Sequence, residues 1–374
     1  MKVAVIKLGS RISFNANDTS GANGEARSIC KMLKLGGADV HIFTKILKKD
    51  NLVADYHWHN IEEDHMMLGA FDALVVLNGN VNFFGGAEDK EQLLNYKIIN
   101  NFYGPVFYLL CDPELTLKQV WPSVSKKSWA SNWTEQMLGI TRKDIIYVSQ
   151  PYDVEKVLGD LKKNEVIPSK IVHFPFEKFP CLNSRIPFNS TPEVDLSYGG
   201  TMRGGKREKK MIKYYFGHPD DITVEMFGKI SQEDFDLVKF SSPRPPIFTG
   251  PVKYDEMLPK MNRAMAHCVI GDPWYEQIND IPQRLYESIW SSVITFVDAD
   301  MDKLRRVYGV DKNLADFLYV NDRQELSEKI QLLKNDPTIR KQILQDQIKA
   351  VGFDSKAYCE SFVNLIKDLS ESRK

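Results

Sequence analysis

The 374-residue chain is short of several features that would decide its class at once. No apolar run approaches the ~18 residues of a membrane span, so no transmembrane helix is expected. Net charge is almost absent: 49 Lys and Arg stand against 50 Asp and Glu, leaving −1 at pH 7. A surface coated in basic residues is thereby excluded, although a local basic cleft within a neutral protein still suits nucleic acid. Cysteine is sparse. Cys30, Cys111, Cys181, Cys268 and Cys359 are odd in number, widely spaced and mostly set among apolar residues. With no CxxC pair, they point away from a disulfide framework or a redox motif and toward buried thiols in a reducing cytoplasm. His57, His59 and His65 can be drawn as a metal cluster, but without a carboxylate–histidine helix motif they read instead as surface residues of a connecting segment. There is no short-period repeat or low-complexity tract. The first residues, Met1-Lys2-Val3-Ala4-Val5-Ile6, enter a strand pattern directly, and no secretory leader is expected there.

What is present belongs to a soluble α/β protein. Hydrophobic residues make up 43% and charged residues 26%, and the length exceeds one ordinary core, so two domains are expected. Apolar strands at 3–8, 40–44, 73–77, 106–111, 145–148 and 171–174 alternate with helical patterns, including 24–35 and 154–162. Continuous apolar strands between amphipathic helices imply a parallel sheet covered on both faces. Pro175, Pro180, Pro187 and Pro192 then break the pattern, and 179–193 reads as a linker. A second alternation follows: strand 194–198, helix 206–216, strand 222–227, helix 254–265, strand 266–270, helix 282–292, strand 293–297. Helical patterns at 323–334, 337–349 and 355–370 close the chain. Two doubly wound domains are expected to face each other across a cleft at the carboxyl ends of their strands.

The most informative stretch is Tyr198-Gly199-Gly200-Thr201-Met202-Arg203-Gly204-Gly205-Lys206-Arg207-Glu208. It joins the strand at 194–198 to a helix. Four glycines let a ligand approach the backbone amides, and the helix start adds the positive end of its dipole. Arg203, Lys206 and Arg207 bring cations to the same place. The combination suits a diphosphate; a glycine-rich turn before a basic, solvated helix face has the same composition.

Other candidates fall at strand ends. Asp112 follows the strand ending at Cys111, where a carboxylate can serve as a general base or cap the next turn. In Asn80-Val81-Asn82-Phe83-Phe84-Gly85-Gly86, aromatics, amides and glycines can wrap a planar ring or tuck against the core. Glu25, at the first helix, can accept hydrogen bonds from sugar hydroxyls or favour the helix terminus. Arg284 and Glu287 lie three apart on one helix face, as a phosphate and ribose pair or as a surface ion pair. Asp272 and Tyr275 sit in the segment Ile270-Gly271-Asp272-Pro273-Trp274-Tyr275 that closes another strand. Lys126-Lys127 between Trp121 and Trp129 reads as a basic-aromatic nucleic-acid contact or as plain surface.

Taken in order, these segments resemble the bacteriophage DNA β-glucosyltransferase family. The resemblance spans nearly the whole chain. It is carried by Val81-Asn82-Phe83-Phe84-Gly85-Gly86, Gln119-Val120-Trp121-Pro122, the 198–208 loop, Pro246-Ile247-Phe248-Thr249-Gly250 and Ile270-Gly271-Asp272. It implies the GT-B fold of two Rossmann-like, doubly wound domains. An acceptor domain at 1–178 would be completed by a helix at 355–374, with a linker at 179–193 and a UDP-sugar domain at 194–354.

The implied activity is transfer of a sugar, glucose in the family, from a UDP-sugar to the hydroxymethyl group of 5-hydroxymethylcytosine in phage DNA. The base would be flipped out of the duplex, and Asp112 would act as general base in one inverting displacement. By the same resemblance Glu25 and Asp272 contact the sugar, and Thr201, Arg203, Arg207, Gly228, Val252, Tyr275, Arg284 and Glu287 hold UDP. Asn82, Phe84, Gly85 and Lys127 face the acceptor base and DNA. Magnesium or manganese is expected to stimulate at the diphosphate, with no metal cage made by side chains alone. The implied setting is a monomer, not bound to membrane, acting on double-stranded DNA in the cytoplasm of an infected bacterium.

Pro251 stands where the family has lysine near uracil and sugar, Glu114 replaces an arginine beyond the catalytic aspartate, and Lys127 replaces another arginine. One residue is inserted between Tyr275 and Arg284. These departures keep open another donor such as UDP-arabinose. A catalytically idle nucleotide- or DNA-binding protein on the same fold is the alternative from another class.

Overall fold

The computed structural model describes residues 1–8, 11–14, 21–47, 52–77, 90–110, 140–150, 152–156, 159, 170–175, 185–200, 206–228, 236, 245–271, 275–276, 279–352 and 355–372, without the side chains of 21–25, 90–92, 206–207, 254 and 355. The chain divides into two compact units, Met1–Cys181 with Asp354–Lys374, and Leu182–Phe353.

The first unit is a seven-stranded parallel sheet. Its strands are β1 (Lys2–Lys7), β2 (Asp39–Thr44), β3 (His57–Asn60), β4 (Ala73–Leu77), β5 (Val106–Leu110), β6 (Ile146–Ser149) and β7 (Lys170–His173), in the order β3-β2-β1-β4-β5-β6-β7. Val3 to Ile6, Leu74 to Val76 and Val106 to Leu110 have no exposed surface. A strand buried on both faces has no use for alternation, so the central strands read as unbroken apolar runs. Helix α1 (Gly21–Leu35) returns the chain from β1 to β2, the short α2 (Ile61–Asp64) follows β3, and α3 (Lys90–Asn101) precedes β5. Described residues 154–156 and 159 are helical, within the helix expected at 154–162.

The C-terminal helix, Ser355–Glu371, packs on α1 in this unit. The contact depends on Gly36, just past α1: a Cβ there would stand 2.3 Å from the Cys359 carbonyl oxygen and 2.5 Å from Val363 Cγ2. Phe174 stacks against Tyr358 and Phe362, fastening the same helix beside the end of β7.

The second unit is a six-stranded parallel sheet of β8 (Val194–Gly199), β9 (Val224–Phe227), β10 (Ile247–Phe248), β11 (Ala264–Val269), β12 (Ile294–Asp298) and β13 (Tyr319–Val320), in the order β10-β9-β8-β11-β12-β13. Its helices are α4 (Lys206–Tyr215), α5 (Met257–Asn262), α6 (Gln283–Trp290), α7 (Lys312–Leu318), α8 (Arg323–Asn335) and α9 (Pro337–Val351). The Asp336 carboxylate accepts from the Thr338 and Ile339 amides, Pro337 occupies the first turn, and Gly352 ends α9 at φ +68°. That is proline inside the start and glycine past the end, each where its backbone fits.

Three features differ from the sequence reading. His57 and His59 lie in β3, an edge strand paired with β2, rather than in a connecting segment. The helix expected at 254–265 is a single 3₁₀ turn and α5, ending at Asn262, because Ala264 and Met265 are drawn into β11 between β8 and β12. Residues 185–193, within the expected linker, are hydrogen-bonded into the second unit. Ile186 donates to the Trp290 carbonyl, and Arg340 donates to the Ser190 carbonyl.

Replacing Gly36 with alanine should destabilise the packing of α1 on the C-terminal helix by about 1–3 kcal/mol through overpacking. Thermal unfolding checks this, and an unchanged melting temperature contradicts it.

Candidate functional site

In the second unit the chain runs from β8 outward to β9 and β10, then returns to the other side of β8 as β11. The order therefore reverses between β8 and β11, and ligands of such sheets bind at the carboxyl ends beside that reversal. Gly199 ends β8 and Gly200 follows it, Gly228 follows β9, Gly250 follows β10, and Ile270 with Gly271 follows β11.

At these tips the backbones interlock. Gly228 adopts φ +132°, which L side chains rarely reach, and a Cβ there would stand 1.9 Å from the Gly200 carbonyl oxygen. A Cβ on Gly199 would come within 2.5 Å of the Phe227 ring. The Gly200 amide donates to the Phe227 carbonyl at 3.0 Å, and the Gly228 amide donates to the Gly250 carbonyl at 2.9 Å. The three tips are thus tied together without intervening side chains, leaving a surface that a ligand can approach at main-chain distance. Gly250, at φ +78°, turns the chain into exposed Pro251 and half-buried Val252.

Helix α6 begins after Ile281-Pro282, and no side chain caps its start. Arg284 lies in its first turn, where a cation opposes the helix dipole. A cation held there against that cost fits a site for an anion. Arg284 Nη1 lies 3.0 Å from Glu287 Oε2, with side-chain exposures of 26% and 4%. Burial pushes the Glu287 carboxyl above its ordinary pKa while the Arg284 guanidinium pulls it back. A nearly buried carboxylate with one cationic partner retains acceptor capacity for hydroxyl groups.

Beneath this pair His267, in β11, is fully buried and stacks parallel to Tyr198 at 6.1 Å. Neither ring nitrogen has a partner of hydrogen-bond geometry. Burial and the Arg284 charge push its pKa down to about 3, which the Ser197 backbone opposes without reversing. The imidazole is therefore neutral, and it adds no charge below Arg284.

The sequence reading missed one charged cluster. Lys210 of α4 reaches Asp298, at the tip of β12, at 2.6 Å and also contacts Glu276. Burial alone would lower the Lys210 pKa, yet Asp298 and Glu276 carry it above its usual value. The Tyr214 hydroxyl donates to Asp298 at 2.8 Å. These bonds fasten the helix that follows the 198–205 loop to the segment carrying Tyr275. Asp298 at a strand tip was the one signal available beforehand. Tyr275 is half-buried, and its carbonyl accepts from the Asp280 amide at 3.0 Å.

Of the expected site residues, Gly228, Val252, Tyr275, Arg284 and Glu287 are described, all in this unit. Glu25 and Arg207 fall within α1 and α4, and their side chains lie outside the description. Thr201, Arg203, Asp272, Asp112, Asn82, Phe84, Gly85 and Lys127 lie outside the described residues. In chain order the 78–89 segment comes after β4 and Asp112 after β5, and β4 and β5 are neighbours in the first sheet.

Residues 1–180 match the family model described as Bacteriophage T4 beta-glucosyltransferase. The DNA beta-glucosyltransferase of Enterobacteria phage T4 is 28% identical over 354 residues, which are 93% of this chain and 93% of that protein. Among solved structures, T4 phage β-glucosyltransferase with its UDP-glucose substrate covers 99% of both chains at a TM-score of 0.74 and 24% identity. The same phage enzyme with UDP and Mn²⁺ gives 0.73 and 25%, over 98% of this chain and 99% of that one. An α-glucosyltransferase with UDP-glucose and DNA containing an abasic site gives 0.59 at 9% identity, over 94% and 95%. That last likeness is one of fold. With its two parallel-sheet units the chain has the GT-B fold.

The His267 shift has a signed consequence. Above about pH 6.5 the ring is neutral folded or unfolded. Between there and about 3 the unfolded chain binds a proton that the folded chain does not, so this residue makes stability fall as pH falls. His267→Phe should therefore flatten the decline in unfolding midpoint between about pH 6.5 and 4. Parallel pH profiles for the two proteins would contradict the assignment.

Proposed function

We propose that the chain is a DNA glycosyltransferase that moves a sugar from a UDP-sugar to 5-hydroxymethylcytosine. The reading is carried by the likeness to a DNA beta-glucosyltransferase along 93% of both chains. It is supported by the glycine-lined strand tips with Arg284 and Glu287 in the second unit. In this reading the domains are those of the resemblance, with an acceptor domain at 1–178 plus 355–374 and a donor domain at 194–354.

Within the donor domain, the diphosphate would lie against the main chain at Gly200 and Gly228, with Arg284 and the cations Arg203 and Arg207 offsetting its charge. Such preorganised donors matter most as the UDP leaving group develops charge. Glu287 would accept from the ribose hydroxyls, Val252 would cover the uracil, and Thr201 and Tyr275 would complete the nucleotide site. Glu25 and Asp272 would hold the sugar. On the acceptor side the duplex must deliver its base by flipping. Asn82, Phe84 and Gly85 would receive that base, and Lys127 would meet the DNA backbone. Asp112 would take the hydroxyl proton as the oxygen attacks the anomeric carbon and UDP departs from the opposite face. A single displacement inverts configuration.

A divalent ion would act by neutralising the diphosphate. Magnesium or manganese would then arrive with the nucleotide, and no chemical step here is assigned to it. Among the described residues no helix is long and apolar enough to cross a membrane. The reading further proposes a monomer working in the cytoplasm of an infected bacterium, on double-stranded DNA.

Glucose is the proposed sugar. A second reading, transfer of arabinose, rests on Pro251, exposed directly after the β10 tip. Proline brings neither charge nor an N–H donor to a place where the family presents lysine.

Incubating the protein with hydroxymethylated DNA and a panel of UDP-sugars, followed by mass spectrometry of the nucleosides, tests both readings. A hexose mass increment supports glucose and a pentose increment supports arabinose. Absence of any increment on hydroxymethylated DNA contradicts the proposal. Asp112→Ala should lower the transfer rate by about 10²-fold or more while UDP-sugar affinity stays near wild type. Near-normal turnover in that variant removes Asp112 from the base role.

A further inference from the structure

On the edge of the first sheet, among residues given no role above, three potential ligand groups converge. β2 and β3 are parallel, and His41 stands directly opposite His57. Asp39 lies two residues before His41, so strand alternation puts all three side chains on one face. The Asp39 carboxylate reaches both rings, Oδ2 at 3.3 Å from His41 Nε2 and Oδ1 at 3.3 Å from His57 Nε2. All three ligand atoms lie within 4.8 Å of one another.

We propose that Asp39, His41 and His57 form a binding site for a zinc-like transition-metal dication. The spacing is the first argument. Ligand atoms placed about 2.0–2.1 Å from a tetrahedral ion are separated by about 3.3–3.4 Å, which is where the carboxylate stands from each imidazole. The same 3.3 Å is long for a charge-assisted hydrogen bond, for which about 2.7–2.9 Å is usual. His41 Nε2 is buried and has no partner of hydrogen-bond geometry.

The second shell is the next argument. His41 turns its other nitrogen, Nδ1, to His59 Nε2 at 2.9 Å, and His59 Nδ1 faces Asp64 at 3.9 Å. Metal-bound imidazoles are commonly oriented through their second nitrogen in this way. His57 is 64% exposed and its ring stacks on His41 at 4.4 Å, so a small tilt of a mobile ring brings its Nε2 onto the shared ion. Two imidazoles and one carboxylate leave a fourth position open to water. They favour zinc, cobalt, nickel or copper over magnesium, whose preference is for oxygen. An ion here would clip the edge strand β3 to β2. The site is independent of the proposed transfer reaction, and either can fail without the other.

The test is titration of the full chain with Co²⁺ and then Zn²⁺ in the absence of nucleotide. The expected results are the visible absorption of tetrahedral cobalt, its displacement by one equivalent of zinc, and no displacement by excess Mg²⁺. His57→Ala, at an exposed position, and Asp39→Asn should each weaken zinc binding by about 10-fold or more while the circular dichroism spectrum stays unchanged. Zinc should also raise the melting temperature of the wild type and not that of His57→Ala. Absence of binding, displacement by Mg²⁺, or equal zinc affinity in wild type and His57→Ala would each overturn the site.

Discussion

At the tips of β8 and β9 two stretches of main chain meet with no side chain between them, and the rest of the second unit is arranged around that meeting. The Gly228 conformation, the Gly200 carbonyl beneath it and the bond from Gly228 to Gly250 form one constraint across three strands. A side chain at Gly228 would collide with backbone, which cannot swing aside as a flexible side chain can. What the constraint provides is half-buried main chain bare of side chains at the reversal point of a parallel sheet, the place where such sheets bind nucleotides. The part-exposed Arg284 and buried Glu287 supply charge and hydroxyl acceptors at the start of α6, and the Lys210–Asp298–Glu276 cluster ties α4 to β12 and to the segment carrying Tyr275.

Electrostatically, the site holds the Arg284 guanidinium above a neutral floor. Arg284 sits where the helix dipole disfavours it, and His267 below carries no charge at physiological pH. A protonated imidazole at that depth would add a second buried charge beside the guanidinium. An arrangement that keeps Arg284 partly exposed over an uncharged core suits an anionic ligand better than it suits the empty fold.

Much of the fold was legible in the sequence because parallel strands buried on both faces need continuous apolar residues. Ala73–Leu77 is the clearest case, read and found with the same bounds. Two strands that escaped notice lack that burial. β3 is polar, His57-Trp58-His59-Asn60, because it lies at the sheet edge, and β10 has only two residues. Helix α5 was overextended because Ala264 and Met265 favour helix locally, and only burial between two strands makes them sheet. Arg284 and Glu287 were legible because a spacing of three on a helix brings them together. Lys210 with Glu276, and Asp39 with His57, were not, since each pair is joined only by the fold.

The central claim is that a uridine nucleotide binds at the glycine-lined tips of β8 and β9 beside Arg284 and Glu287. A crystal structure of the chain with UDP tests it most directly. The account predicts the diphosphate against the Gly200 and Gly228 main chain, with the ribose hydroxyls donating to the Glu287 carboxylate. UDP bound elsewhere, or bound here with Glu287 still facing only Arg284, would contradict it.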